Sequence, residues 1–164
     1  MSDITIDFEI NGEGHFDIVA PNVVLVDYLR ETLQLKGARI GCSRGVCGAC
    51  TVLIDGRPVA ACSTFAFQLD GAKVTTIEGL AQDGRLDPVQ QAFIDHAAFQ
   101  CGYCTAGFVL LTKALLVQHP KPDRATVIDW LSSNVCRCTG YAQIIAAVED
   151  AAARVAALST ETTS

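Results

Sequence analysis

Three cysteines within ten residues, in the stretch GCSRGVCGAC (41–50), constrain this chain more than any other feature. They are Cys42, Cys47 and Cys50, and Cys62 follows after a hairpin-sized segment. The other cysteines are Cys101, Cys104, Cys136 and Cys138, so the chain carries two sets of four. An even count suits disulfides. However, half of the 164 residues are apolar, enough for a core that needs no covalent staples. A reducing cytosol also disfavours such bridges. Clustering of this kind is what metal ligation demands.

The two sets differ in what they can hold. Zinc sites favour two close pairs with a moderate gap. The second set, Cys-x2-Cys and then Cys-x-Cys, is compatible with one zinc or one iron pair, and spacing leaves that open. The first set does not read as zinc. Cys-x4-Cys-x2-Cys with a distant fourth cysteine is the plant-type ferredoxin spacing for a two-iron cluster. Gly41, Gly45 and Gly48 then have a purpose, because the backbone must close tightly and turn its N–H groups toward sulfur.

The elements around these loops change character along the chain. ITIDFEI (4–10) alternates as a half-buried strand, Asn11-Gly12-Glu13-Gly14 supplies a turn, and HFDIV (15–19) returns. VVLVDYLRETL has a helical apolar repeat at Val24, Leu25, Tyr28, Leu29 and Leu33. TVLI (51–54), the Asp55-Gly56 turn and RPVAA (57–61) form a hairpin that brings Cys62 back to the loop, and KVTTI (73–77) is a last strand. Residues 79–87 read as a linker. Helices then follow over 88–99, opened by Asp87-Pro88; over about 104–118; from an Asp123 cap through Leu131; and over about 141–158. Phe93, Phe108, Leu111 and Trp130 occupy core positions. The expectation is an α+β chain: a β-grasp unit over 1–79, a four-helix unit over 80–158 and a disordered tail over 159–164.

QCGYCTAG (100–107) and NVCRCTG (134–140) each lie where one helix ends and another begins. Free N–H groups at helix starts favour anionic thiolates.

Taken together, GCSRGVCGACTVLIDG, QCGYCTAG and NVCRCTGY closely resemble the small iron–sulfur subunit of the molybdenum hydroxylases, the xanthine dehydrogenase, aldehyde oxidoreductase and carbon monoxide dehydrogenase type. The resemblance runs from about residue 3 to residue 157. It implies a plant-type [2Fe-2S] cluster on Cys42, Cys47, Cys50 and Cys62 in a β-grasp domain. It implies a second [2Fe-2S] cluster on Cys101, Cys104, Cys136 and Cys138 in a four-helix domain. It further implies a large partner subunit that holds most of a molybdopterin cofactor in dinucleotide form, with Gln100 and Cys138 reaching the pterin. A medium FAD-binding subunit would complete a heterotrimer or a dimer of heterotrimers. The implied role is electron transfer from molybdenum through both clusters to the flavin subunit or an external acceptor. A free-standing two-cluster carrier is the competing reading, and a protein with structural zinc in the second set is a third. Many relatives carry an acidic or small residue where this chain has Ser43-Arg44. A cation there favours the more negative reduced cluster, so Arg44 is expected to raise the first cluster's potential.

Other chemistry is excluded by absence. There is no metalloprotease helix, phosphate loop or nucleophile elbow. His15, His96 and His119 have no spaced ligand partner and read as surface or packing residues. A net charge of −6 argues against nucleic acid. MSDITIDFEI does not read as a signal peptide. FVLLTKALLV (108–117), interrupted by Lys113, is too short for a membrane span. The expected location is cytoplasmic, with no membrane insertion.

Overall fold

Alternation in the first strand sets the face of the first core. In a computed structural model that describes residues 2–161, β1 (Ile4–Ile10) buries Ile6, Phe8 and Ile10 and exposes Thr5 and Asp7. Asn11 and Gly12, with φ of +53° and +88°, make a two-residue turn of the kind that matches strand twist. The chain returns as β2 (Glu13–Val19), two residues longer than the sequence suggests. Asp55-Gly56 repeats this turn between β3 (Thr51–Ile54) and β4 (Arg57–Ala60). β5 (Lys73–Thr75) inserts between β1 and β3, parallel to the former and antiparallel to the latter. The sheet order is β2-β1-β5-β3-β4.

The helix expected after Pro21 is short and distorted. One α-turn, α1 (Leu25–Asp27), widens into a π-turn over Tyr28–Thr32, with Leu33 N–H reaching the Tyr28 carbonyl at 3.1 Å. Gln34 then takes a φ of +57° and stops it. The apolar repeat still does its work, because Leu25, Tyr28 and Leu29 are buried against Val52, Leu69 and Val74.

The segment read as a linker carries its own turn: Gln82 and Arg85 exchange backbone hydrogen bonds of 3.0 and 2.9 Å across Asp83-Gly84. α2 (Pro88–Asp95) starts as expected. Asp87 accepts from Val89 N–H at 2.9 Å, and Gln90 reaches back to Asp87 N–H at 3.0 Å. It stops before Phe99, because Ala97 turns to a φ of +46° and redirects the chain toward Cys101. α3 (Thr105–Gln118) is buried nearly all round, which is why its sequence is so apolar. Leu110 and Ala114 pack on Leu53 of the sheet, while Phe108 and Leu115 belong to the second core. α4 (Arg124–Leu131) is capped by Asp123, which accepts from Thr126 N–H at 2.7 Å. α5 (Ala142–Glu161) runs three residues past Leu158 into the segment read as a tail, and 162–164 lie outside the described residues.

The architecture is α+β, a mixed sheet followed by helices. Phe93, Phe108 and Leu111 are buried, and partly buried Trp130 donates from Nε1 to the Leu111 carbonyl at 3.0 Å. The histidines lie among packing partners: His15 edge-on to Phe8, His119 edge-on to Trp130, and His96 3.1 Å from Asp150. No helix among the described residues is long and apolar enough to cross a membrane.

Candidate metal centres

The eight cysteines gather as two fours. In the first, the Cys42 thiol interacts with Cys47, and Cys50 with both Cys47 and Cys62. In the second, the Cys101 and Cys138 sulfurs are 3.4 Å apart, and Cys104 interacts with Cys136 and Cys101. All eight are free thiols. Among the described residues no three candidate ligands converge on the position of a single ion. What each set offers is a group of four thiols with backbone N–H groups directed at their sulfurs.

The first loop earns its shape from glycine. Gly48 has a φ of +71° and Gly45 one of +70°, values that side-chain-bearing residues rarely adopt. A β-carbon on Gly41 would lie 2.7 Å from Cys47 Sγ, so glycine leaves the room that this sulfur takes. The folded loop turns its amides inward. The N–H groups of Val46, Cys47 and Arg44 each donate to Cys42 Sγ at 3.4 Å. Gly45 N–H donates to Cys62 Sγ at 3.2 Å, and Cys62 N–H to Cys50 Sγ at 3.4 Å. Those donors hold the Cys42 thiol down at about 6, favouring the thiolate that a metal requires. Burial pushes the Cys50 thiol the other way, up to about 11, against the lowering effect of the Cys62 N–H. Arg44 is exposed and forms no ion pair among the described residues.

In the second set, burial pushes the Cys104 thiol up to about 12. At Cys136 burial also pushes upward. The Thr139 hydroxyl at 3.1 Å and its N–H at 3.3 Å outweigh it, and the thiol sits below its usual range. Tyr103 N–H lowers Cys101, whereas the contact with Cys101 raises Cys138. Cys101, Cys138 and Gln100 are exposed. The sequence reading passed over Thr139 and Tyr141, whose hydroxyl accepts from Cys136 N–H at 2.7 Å. A hydroxyl three residues beyond a cysteine at a helix start was the available signal.

The two centres face each other. Gly41, Cys47 and Ala49 of the first loop share a cavity of about 160 Å³ with Cys101, Cys104, Cys136 and Cys138. Tyr103 donates its hydroxyl to the Ile40 carbonyl at 2.9 Å and receives the Arg39 guanidinium on its ring.

Groups of four thiols with amides directed at their sulfurs fit [2Fe-2S] clusters, and comparison with known proteins agrees. Residues 20–96 match a 2Fe-2S iron-sulfur cluster binding domain, and residues 76–149 match a [2Fe-2S] binding domain. The chain is 47% identical to the nicotine 6-hydroxylase small subunit of Paenarthrobacter nicotinovorans, over 93% of this chain and 92% of that one. It is 46% identical to the nicotinate dehydrogenase small FeS subunit of Eubacterium barkeri, over 95% and 99%. A chain in the crystal structure of quinoline 2-oxidoreductase from Pseudomonas putida 86 superposes with a TM-score of 0.91 at 43% identity, covering 96% of this chain and 98% of that one. Two cysteine fours, two matching iron–sulfur domains and relatives aligned over nearly their full length lead to one conclusion: this chain belongs to the family of small iron–sulfur, electron-transfer subunits of the molybdenum hydroxylases.

Proposed function

We propose that Cys42, Cys47, Cys50 and Cys62 ligate one [2Fe-2S] cluster in a β-grasp, plant-type ferredoxin-like domain over about residues 1–79. Cys101, Cys104, Cys136 and Cys138 ligate the other in a four-helix domain over about residues 80–158. When bound, each cluster accepts and passes on one electron. The chain's own residues fix the positions of the sulfurs, set their hydrogen bonds and keep the two loops in contact.

The observation that carries the reading is the pairing of two separate groups of four thiols across one junction. It favours an electron wire over a chain with a reaction site of its own. On this reading electrons enter at the Cys101–Cys138 face, where Cys138 and Gln100 are both exposed. Those two residues meet the molybdopterin dinucleotide of a large partner subunit. Electrons leave beside exposed Arg44, toward a medium FAD subunit or an external acceptor. The assembly is a heterotrimer or a dimer of heterotrimers in the cytoplasm. Relatives named for nicotine and nicotinate, and a structure titled for quinoline, make N-heteroaromatic compounds the first substrates to screen.

The test is native purification from the host, with metal analysis of whatever accompanies the chain. Roughly four irons per molybdenum are expected, from two two-iron clusters and one cofactor. Iron without molybdenum or a larger partner would favour the free two-cluster carrier. Gln100→Ala in the intact complex is expected to weaken retention of molybdopterin while leaving the iron content unchanged.

A further inference from the structure

A side chain that is not a cysteine stands at the junction of the two cysteine loops. Asn134 stands between them, 1% exposed. Its Nδ2 donates to the Cys104 carbonyl at 3.3 Å, while its Oδ1 is buried with no hydrogen-bond partner. That oxygen faces the first loop. A β-carbon on Gly48 would lie 2.5 Å from Asn134 Oδ1 and 2.7 Å from the Ser133 carbonyl. Gly107 closes the other side: a β-carbon there would collide with the Gly48 carbonyl and lie 2.8 Å from Asn134 Nδ2. The Gly48 carbonyl is itself pinned by Thr51, through N–H at 3.0 Å and Oγ1 at 2.7 Å. Two backbones and one amide therefore meet with no β-carbon between them.

Each feature opposes stability taken alone. Glycine inside a helix is unfavourable, and a buried carbonyl oxygen without a donor is costly. A leucine would fill the space without leaving a buried polar atom, but it has no directional bond to the Cys104 carbonyl. Gly48 follows Cys47, Gly107 lies three residues after Cys104, and Asn134 lies two before Cys136. The contact thus sits beside members of both cysteine sets.

We propose that Asn134, packed between Gly48 and Gly107, is a positioning lock that fixes the separation and orientation of the two clusters, and with them the rate of electron passage between the centres. The proposal rests on the two-cluster reading above.

The test uses the intact complex with Asn134→Ala, Asn134→Asp and Gly107→Ala. Asp123→Ala, which removes the cap of α4, controls for plain destabilisation. Three quantities are read: iron content, the splitting of the paramagnetic resonance signals caused by magnetic coupling between the two reduced clusters, and the rate at which the first cluster is reduced after substrate is mixed in. Asn134→Ala and Gly107→Ala are expected to keep their iron, change the splitting and slow the passage several-fold. The control keeps wild-type splitting and rate. Wild-type splitting and rate in both variants, or an equal change in the control, overturns the lock. If those two variants lose a cluster, the isosteric Asn134→Asp decides. It replaces the donor facing the Cys104 carbonyl with an acceptor, and an unchanged splitting overturns the proposal. A wild-type complex with only one [2Fe-2S] signal is a separate result, which removes the two-cluster reading and the lock with it.

Discussion

The backbone N–H of Val135 donates to the carbonyl of Cys47 at 2.9 Å, joining the residue before one cysteine of the second set to a cysteine of the first. The Val135 side chain is half exposed, yet its amide is engaged across the junction. Slow hydrogen exchange at this amide is therefore expected in the intact protein. Cys62→Ser, which loosens the first loop, should accelerate it. Mass-spectrometric exchange on the peptide spanning 132–138 checks this; unchanged protection in the variant would mean that the junction is insensitive to the first centre.

Thr139→Val removes the hydroxyl that donates to Cys136 Sγ at 3.1 Å while keeping the side chain's shape. Hydrogen bonds to cluster sulfur stabilise the more negative, reduced state. If about 1 kcal/mol of that bond discriminates between redox states, the second cluster's midpoint drops by roughly 40–50 mV. The first cluster's midpoint stays put. A redox titration followed by paramagnetic resonance separates the two signals.

Arg44 places a solvated cation beside the first loop, and its backbone N–H donates to Cys42 Sγ. Arg44→Glu should lower the first cluster's midpoint. At surface dielectric the shift is on the order of 20–50 mV at low salt and shrinks as salt is added. An unchanged midpoint at low salt would leave Arg44 as an ordinary surface charge.

The α2–α5 interface carries a charge network with a definite pH sign. Arg154 reaches Asp150 at 2.6 Å and Asp95 at 2.8 Å, and His96 adds to Asp150 at 3.1 Å. The guanidinium holds the Asp150 carboxyl below its ordinary value, against a smaller opposing effect of burial. Because the folded value is the lower one, the stabilisation is fully present above the usual carboxylate range and is lost as pH falls through the folded value. Asp150→Asn should therefore cost stability at pH 7, by about 1 kcal/mol or less given the exposure of the network. The gap from wild type should close below about pH 4. Thermal melts of both proteins across that range supply the measurement.

Much of the local structure was legible because it depends on neighbours in sequence. Asn11-Gly12 and Asp55-Gly56 encode their own turns, and Asp87 and Asp123 announce the helices they cap. Helix ends were less legible. Residues 23–33 carry a helical repeat, but the π-turn at Tyr28–Thr32 depends on Leu33 and Leu35 reaching back to Tyr28 and Leu29. At His96 the chain leaves its helix early to redirect toward Cys101, which no periodicity anticipates.

The sequence by itself determined the two cysteine sets, the glycine-lined first loop, the hairpins and the start of each capped helix. These are written in spacing and residue type over short distances. Only the tertiary structure decided that β5 enters parallel to β1 and that α3 lies on β3. It alone brought Gly48, Gly107 and Asn134 to one point between the two cysteine sets. Those three residues are far apart along the chain and follow no repeat. Two of them matter for an atom they lack, and that becomes visible only once the backbone opposite is in place.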